Sequence, residues 1–190
     1  MKNKTEKNDR LLRLLYSAVC LALALLLPLL TGQVQQIGNM LCLMHIPVLL
    51  CGFLCGWQWG MAVGFIAPLL RFAIFGMPPI YPIGAAMAVE LATYGALSGL
   101  LYHLLPKKKL SIYAALMAAM LGGRLAWGAA RYAFAGLSGS EFPFSAFIAG
   151  AVTNALPGIA RQIIHLPLLV MALQQAGRLL NAPRRRSSDR

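Results

Sequence analysis

Apolar residues occur along the chain in six long stretches, which glycine, proline and charged residues separate. We predict that these stretches form transmembrane helices at residues 11–30, 43–56, 60–75, 84–105, 110–135 and 146–173. The second and third stretches are shorter than the roughly 20 residues that usually cross a bilayer. We interpret them as a tight helical hairpin that turns between Gly56 and Gly60. A single long kinked helix, with five spans in total, is the alternative.

The composition supports a membrane location for these helices. Of the 190 residues, 59% are hydrophobic and 12% are charged, and the mean hydropathy of +0.68 is too high for a water-soluble domain of this size. The predicted fold class is therefore an all-α integral membrane protein, a bundle of six transmembrane helices.

Positive charge is concentrated in three clusters, at residues 2–13, 107–109 and 184–190, which flank apolar stretches. Such clusters mark the cytoplasmic side of a span, and with six spans all three lie on that side. We therefore expect both termini in the cytoplasm and a single membrane domain at residues 11–176. A basic segment at 1–10 precedes this domain and a basic tail at 177–190 follows it. The net charge of +12 is thus assigned to topology and membrane lipid, and no nucleic-acid partner is expected.

Five ionisable residues lie inside the apolar stretches: Arg71, Glu90, Arg124, Arg131 and Arg161. An ionised side chain in hydrocarbon costs several kcal/mol, so such residues usually face a cavity, a partner or a ligand. Four cations against one anion indicate a site for an anionic ligand. We expect Arg71, Glu90 and Arg131 in one external layer. Two interpretations of Glu90 stay open: it neutralises one of these arginines in a structural pair, or it lines the site, and it could do both. Arg124 is placed beneath that layer, and Arg161 is expected to serve the bundle instead.

The spacing of other polar and aromatic residues extends this candidate site. Trp127 shares a helical face with Arg124 and Arg131, at i, i+3 and i+7. Each additional residue also has a structural interpretation: a helix-end hydrogen bond for His45, and packing for Tyr94 and Trp127. The predicted substrate-binding residues are His45, Arg71, Glu90, Tyr94, Arg124, Trp127, Arg131 and Asn154.

Motifs for catalysis are weak, and we expect neither an enzyme nor a cofactor. Cys51 and Cys55 lie one turn apart near His45, as a soft-metal site would require, but nothing completes a ligand set, so packing is favoured and no metal is predicted. Residues 136–139 read Gly-Leu-Ser-Gly, similar to the Gly-x-Ser-Gly signature of rhomboid-type proteases. The partner histidine would be His165, which lies toward the opposite side. An intramembrane serine protease therefore remains a remote alternative.

Several short motifs, in order along the chain, resemble one transporter family. They are Met44-His45-Ile46-Pro47-Val48-Leu49-Leu50-Cys51-Gly52, the residues 60–64, Pro68-Leu69-Leu70, Gly76-Met77-Pro78-Pro79, Glu90-Leu91-Ala92-Thr93-Tyr94-Gly95, Gly122-Gly123-Arg124 and Asn154-Ala155-Leu156-Pro157-Gly158. The chain is similar to the substrate-binding S components of energy-coupling factor (ECF) vitamin transporters. The resemblance implies a binding subunit in the plasma membrane of a prokaryote. Its partner would be an ECF module of one transmembrane scaffold protein and two ATPases.

The same resemblance suggests a docking surface and a substrate. Small residues on the first helix, Ala18, Ala22 and Ala24, correspond to the surface on which family members dock with the module. The ligand implied is a small anionic vitamin, and the chain looks most similar to pantothenate-type members. Folate, biotin and a queuosine precursor remain open. A free-standing secondary transporter and an assembly subunit of another membrane complex are the alternatives from other classes.

Overall fold

The computed structural model describes residues 2–31, 43–106, 109–139, 143–150 and 156–175. Within these ranges the chain is all-helical and contains no strand. Six α-helices of more than ten residues are described: α1 Lys2–Leu26, α2 His45–Cys55, α3 Trp57–Phe75, α4 Ala85–Leu104, α5 Lys109–Leu137 and α6 Leu156–Gln175. A short helix, Phe144–Ile148, lies between α5 and α6, and a π-helical turn, Ile80–Gly84, leads into α4.

Four segments of the described chain are long and apolar enough to cross a membrane: Lys7–Leu29, Trp57–Phe75, Ile80–Leu104 and Lys109–Leu137. The helix α2, with 11 residues, is too short to do so alone and rises only about 16 Å. Many large apolar side chains on α1, α3, α5 and α6 are exposed on the protein surface, as lipid-facing residues would be. The chain is an integral membrane protein.

The short α2 is the most enclosed helix of the described bundle. Nine of its 11 residues are buried, and it packs against α1, α3, α4 and α6. Ser17 of α1 accepts a contact from Cys51 Sγ at 3.6 Å, and Arg13 donates to the Cys55 carbonyl at the end of α2. A cation is favourable there because the carbonyl end of a helix carries partial negative charge.

The hairpin predicted between Gly56 and Gly60 is present, and its turn is the single residue Gly56. Gly56 has φ 102° and ψ 169°, a conformation that favours glycine. A β-carbon on Gly60 would lie 2.7 Å from Gly52 Cα, whereas residues eight apart in one continuous helix are about 12 Å apart. The chain therefore folds back, and the alternative of one long kinked helix is wrong.

Glycines also determine how α3 packs against α4. A β-carbon on Gly60 would lie 2.6 Å from the Gly95 carbonyl oxygen, and one on Gly99 would lie 2.7 Å from Trp57 Cα. A β-carbon on Gly64 would likewise collide with the backbone of Leu91. Such small residues let helix backbones approach closely in a membrane. The paired positions descend along α4 as they ascend along α3, so the two helices are antiparallel.

The last predicted span is interrupted. We expected one helix over residues 146–173 with Pro157 inside it, but α6 begins at Leu156 and the chain before it forms the short helix Phe144–Ile148. Pro157 therefore lies in the first turn of α6, where a missing N–H costs no helical hydrogen bond. Residues 151–155, which join the two helices, lie outside the described chain.

Candidate functional site

Glu90 lies at the centre of a buried ionisable cluster. It is 2% exposed. Its Oε1 lies 2.9 Å from Arg124 Nη1, accepts a hydrogen bond of 3.1 Å from the Tyr94 hydroxyl and lies 3.5 Å from His45 Nε2. The rings of His45 and Tyr94 meet edge to face, with centroids 5.2 Å apart. We call His45, Glu90, Tyr94 and Arg124 the Glu90 cluster.

Three helices position these side chains. Glu90 and Tyr94 are one turn apart on α4, so they share a face, and His45 is the first residue of α2. Gly123 lies directly under the Tyr94 ring, because a β-carbon there would be 2.6 Å from Tyr94 Cε1. The absence of a side chain at Gly123 brings α5 close enough for Arg124 to reach Glu90.

The pair of Glu90 and Arg124 keeps this region nearly neutral. Burying a charge without a partner costs several kcal/mol, and a close ion pair with additional hydrogen bonds offsets that cost. Glu90 has both, since Arg124 and the Tyr94 hydroxyl reach the same oxygen. Arg124 therefore has an internal counter-ion, and its charge is already compensated.

The register of α3 places Arg71 farther along the bundle than Glu90. Gly64 lies beside Leu91, and Arg71 follows Gly64 by seven residues on the same face of α3. Because α3 and α4 are antiparallel, Arg71 is level with Gly84, seven residues before Leu91. Gly84 is six residues before Glu90, a distance of about 9 Å along a helix.

The register of α5 places Arg131 at the same level. Arg124 pairs with Glu90, and near the end of α5 the Phe134 carbonyl accepts a hydrogen bond of 2.8 Å from the Tyr81 hydroxyl. These two contacts show that α5 and α4 are antiparallel. Arg131 lies seven residues beyond Arg124, so it is also about two turns from Glu90. We call Arg71 and Arg131 the outer arginines.

This arrangement differs from the predicted layers. We expected Glu90 to share a layer with Arg71 and Arg131, and in one of two open interpretations to neutralise one of them. In the described chain Glu90 pairs with Arg124 instead. The prediction was wrong because a sequence gives depth along each helix but not the offset between neighbouring helices.

Aromatic contacts attach two connecting segments to α5 on either side of Arg131. The Trp127 and Phe147 rings stack, with centroids 6.3 Å apart and planes 25° from parallel. A β-carbon on Gly150 would lie 2.5 Å from Trp127 Cη2, so glycine makes room for this ring. Trp127 therefore holds the segment around Phe147, and the sequence did not predict Phe147 as its partner.

The second aromatic contact joins the turn before α4 to the end of α5. The rings of Tyr81 and Phe134 are 5.6 Å apart, in addition to the hydrogen bond between them. Neither residue was predicted to belong near the site. A signal was present in the sequence, because Tyr81 lies among glycines and prolines between two apolar stretches, close in sequence to Arg71.

Arg161 and Gln162, which are neighbours on α6, both have buried polar side-chain atoms. Arg161 Nε and Nη2 and Gln162 Oε1 have no hydrogen-bond partner among the described residues. Gln162 is 2% exposed and was missed because only ionisable residues were counted in the apolar stretches. Asn154, which we predicted to bind substrate, lies outside the described residues.

The predicted docking alanines do not share one surface. Ala18 and Ala22 are exposed on α1, whereas Ala24 is 0% exposed and belongs to the hydrophobic core. Ala24 follows Ala22 by two residues, which places it on the opposite side of the helix. Ala24 therefore does not share an exposed surface with Ala18 and Ala22, and docking by the latter two stays a prediction.

The two residues behind the protease alternative, Ser138 and His165, each make a local hydrogen-bond contact within their own part of the chain. The Ser138 hydroxyl donates to the Phe134 carbonyl at 2.9 Å, at the end of α5. His165 Nδ1 lies 3.0 Å from the Arg161 carbonyl on α6. Both contacts are local to their own helix ends or turns, as helix-capping and helix-surface side chains are.

The cysteines in the described chain pack as small apolar residues. Cys20, Cys51 and Cys55 are buried and have free thiols. No group of three or more histidine, cysteine or acidic side chains in the described ranges could hold a metal ion. The cluster of thiols lies between α1 and α2, where it contributes to the core.

Apolar helices around a buried ionisable cluster define the class of this molecule as a helical integral membrane protein. The family model described as ECF transporter, substrate-specific component, matches residues 12–171. The chain belongs to this family and is a substrate-specific membrane subunit of an ECF transporter, with a small-molecule substrate and an ECF module as partner. Subunits of this kind are generally binding components of transport and not enzymes. No curated protein and no solved structure gives a significant match.

Proposed function

We propose that this chain captures a small anionic vitamin, with pantothenate favoured, and presents it for ATP-driven uptake. The partner would be an ECF module of one transmembrane scaffold protein and two ATPases. The remaining candidates within this function are folate, biotin and a queuosine precursor, each of which also offers polar groups to a buried site.

The charge balance of the buried residues carries this proposal. Glu90 compensates Arg124, and the apolar stretches contain three further arginines, Arg71, Arg131 and Arg161, with no further acidic residue. Guanidinium groups bind carboxylates through paired hydrogen bonds, and such bonds are strong at low dielectric constant. A carboxylate ligand would add an anion beside Arg71 and Arg131, whereas Arg161 is expected to serve the bundle.

Membrane topology supports access from outside the cell. Six spans, with both termini in the cytoplasm of a prokaryote, place the three basic clusters on the cytoplasmic side. The turn between α3 and α4, next to the outer arginines, then faces outward. The ligand would enter from that end and meet Arg71 and Arg131 before the Glu90 cluster.

Pantothenate fits the chemistry of the site well. It carries one carboxylate, and its amide and hydroxyl groups can donate and accept hydrogen bonds. In the predicted substrate-binding set, the arginines can bind the carboxylate. Glu90, Tyr94 and His45 can form hydrogen bonds with the amide and hydroxyl groups. Asn154, from the sequence prediction, would add an amide.

The test is calorimetry of the purified subunit against a panel of carboxylate vitamins. We expect saturable binding of one of them by the solitary subunit, without the module. The Lys109→Ala variant is a matched control, because it removes an exposed cation and should bind as the original protein does. Absence of binding to every vitamin in the panel would contradict the proposal.

Coupling to the module is tested separately, by uptake in reconstituted vesicles. We expect uptake when the subunit, the module and ATP are all present. Uptake by the subunit alone would instead indicate a free-standing secondary transporter.

A further inference from the structure

The candidate site has two ends of different charge. Arg71 and Arg131 lie level with Gly84, and the Glu90 cluster lies about 9 Å farther along α4. The cluster combines a carboxylate with one compensating guanidinium. An anionic group is therefore favoured near the outer arginines and disfavoured beside Glu90, because like charges repel strongly where the dielectric constant is low.

Glu90 has a specific place for a hydrogen-bond donor. The contacts from Arg124, Tyr94 and His45 all reach Oε1. The second oxygen, Oε2, receives none of these three contacts. A carboxylate has about four acceptor positions over its two oxygens, so a ligand hydroxyl or N–H can donate to Oε2 while the ion pair with Arg124 persists.

The helices beside α4 also differ between the two levels. His45, level with Glu90, is the first residue of α2, so the helix α2 itself does not reach the level of the outer arginines. The helices α3 and α5 continue past it and carry Arg71 and Arg131 on their α4-facing sides. The outer arginines and the Glu90 cluster thus lie along one side of α4, at two successive levels.

We propose that the ligand binds in one orientation, with its carboxylate at the outer arginines and its neutral hydroxyl end at Glu90. This inference rests on the proposed function. Pantothenate has suitable dimensions, because the eight bonds between its carboxylate carbon and its terminal hydroxyl oxygen span about 10 Å when extended. Glu90 is then a specificity-determining residue, which accepts a donor and rejects a second carboxylate at the inner end.

The experiment compares pantothenate with panthenol, its alcohol analogue, in which a primary alcohol replaces the carboxylate. Both dissociation constants are measured by calorimetry on the full-length protein, and the ratio of panthenol to pantothenate reports recognition of the carboxylate. We expect this ratio to exceed about ten for the original protein, or about 1.4 kcal/mol.

The variants distinguish the two ends of the site. Arg131→Met should weaken pantothenate at least tenfold and panthenol less than about twofold, so the ratio falls toward one. Glu90→Gln should weaken both ligands by a similar factor and leave the ratio high. Arg161→Met is the matched control for loss of a buried arginine and should preserve the ratio.

A collapsed ratio in Arg124→Met, with an unchanged ratio in Arg131→Met, would overturn the orientation and leave the proposed function intact. Equal affinity of the original protein for both ligands would also overturn it. If the original protein binds neither ligand, the pantothenate assignment fails together with the orientation. Should Arg131→Met not fold, Arg131→Gln removes the same charge from a side chain that still hydrogen-bonds, and it carries the same expectation.

Discussion

At the scale of single residues, the pairing of Glu90 with Arg124 organises the buried polar groups. Both charges lie between α4 and α5, and each compensates the charge that the other helix carries. The Tyr94 hydroxyl adds a third group to the same oxygen. Under the proposed function, stability and ligand recognition therefore depend on the same few atoms.

Removing one member of this pair should cost more than removing both. Arg124→Met leaves Glu90 buried without its cation, which we expect to destabilise the fold by about 3–5 kcal/mol. The double variant with Glu90→Gln removes the charge as well and should recover part of that loss. Chemical unfolding of the ligand-free protein in detergent measures both effects. A double variant less stable than Arg124→Met would contradict this explanation.

Gly123 should be as important for binding as a charged residue. A side chain there would collide with Tyr94, whose ring lies 2.6 Å from the expected β-carbon. We expect Gly123→Val to weaken ligand binding at least tenfold, since it moves Tyr94 away from Glu90. Gly122→Ala is the matched control, because its β-carbon meets only the flexible end of Leu97. Titration calorimetry on both variants makes the comparison, and equal affinities would count against this role.

At the scale of helices, backbone contacts between glycines replace the packing of large side chains. Gly60 and Gly95 bring α3 and α4 together, and Gly52 brings α2 to the same point. The three helices therefore meet where none of them has a side chain. This junction sets the registers that place the outer arginines.

Gly95→Leu should separate these helices. Inserting a large side chain into a packed interior typically costs about 1–3 kcal/mol, and here the obstacle is backbone, which cannot move aside. We expect a lower thermal midpoint and loss of ligand binding, measured on the detergent-solubilised protein. Gly136→Leu is the control, because nothing lies within 4 Å of its expected β-carbon. Equal midpoints for the two variants would contradict close packing at Gly95.

Helix positions were largely predictable, whereas contacts between helices were not. Apolar runs and the glycine at Gly56 predicted α1 to α5 and the hairpin, because each signal is local in sequence. The partner of Glu90 and the burial of Ala24 depend on rotation and offset between helices, which a single sequence does not contain. Gly95 and Gly99, spaced by four, were the available signal for close packing and were not used.

At the scale of the whole molecule, the family assignment makes α1 the natural surface to compare with the ECF module. Ala18 and Ala22 are exposed on it, while Ala24 points into the core. Small exposed residues at this spacing allow another helix to approach closely. Docking and ligand binding would thus use separate parts of the chain.

This separation predicts that a substitution on α1 can impair docking with the module without changing ligand binding. Ala22→Leu should leave calorimetric binding of the ligand unchanged and reduce module-dependent uptake several-fold, because the larger side chain keeps the partner helix away. Ala114→Leu makes the same change at an exposed position of α5 and serves as the control. Reduced ligand affinity in Ala22→Leu, or equal uptake by the two variants, would argue against α1 as the docking surface.

The short α2 has a consequence for the side from which the Glu90 cluster can be reached. It rises about 16 Å, roughly half of a hydrocarbon core of about 30 Å, and it turns back at Gly56 with its backbone against α3 and α4. These contacts bring three helix backbones together on the side of the Glu90 cluster away from the outer arginines. Under the proposed function, a ligand at the Glu90 cluster is therefore reached most directly from the end of the bundle that carries the outer arginines.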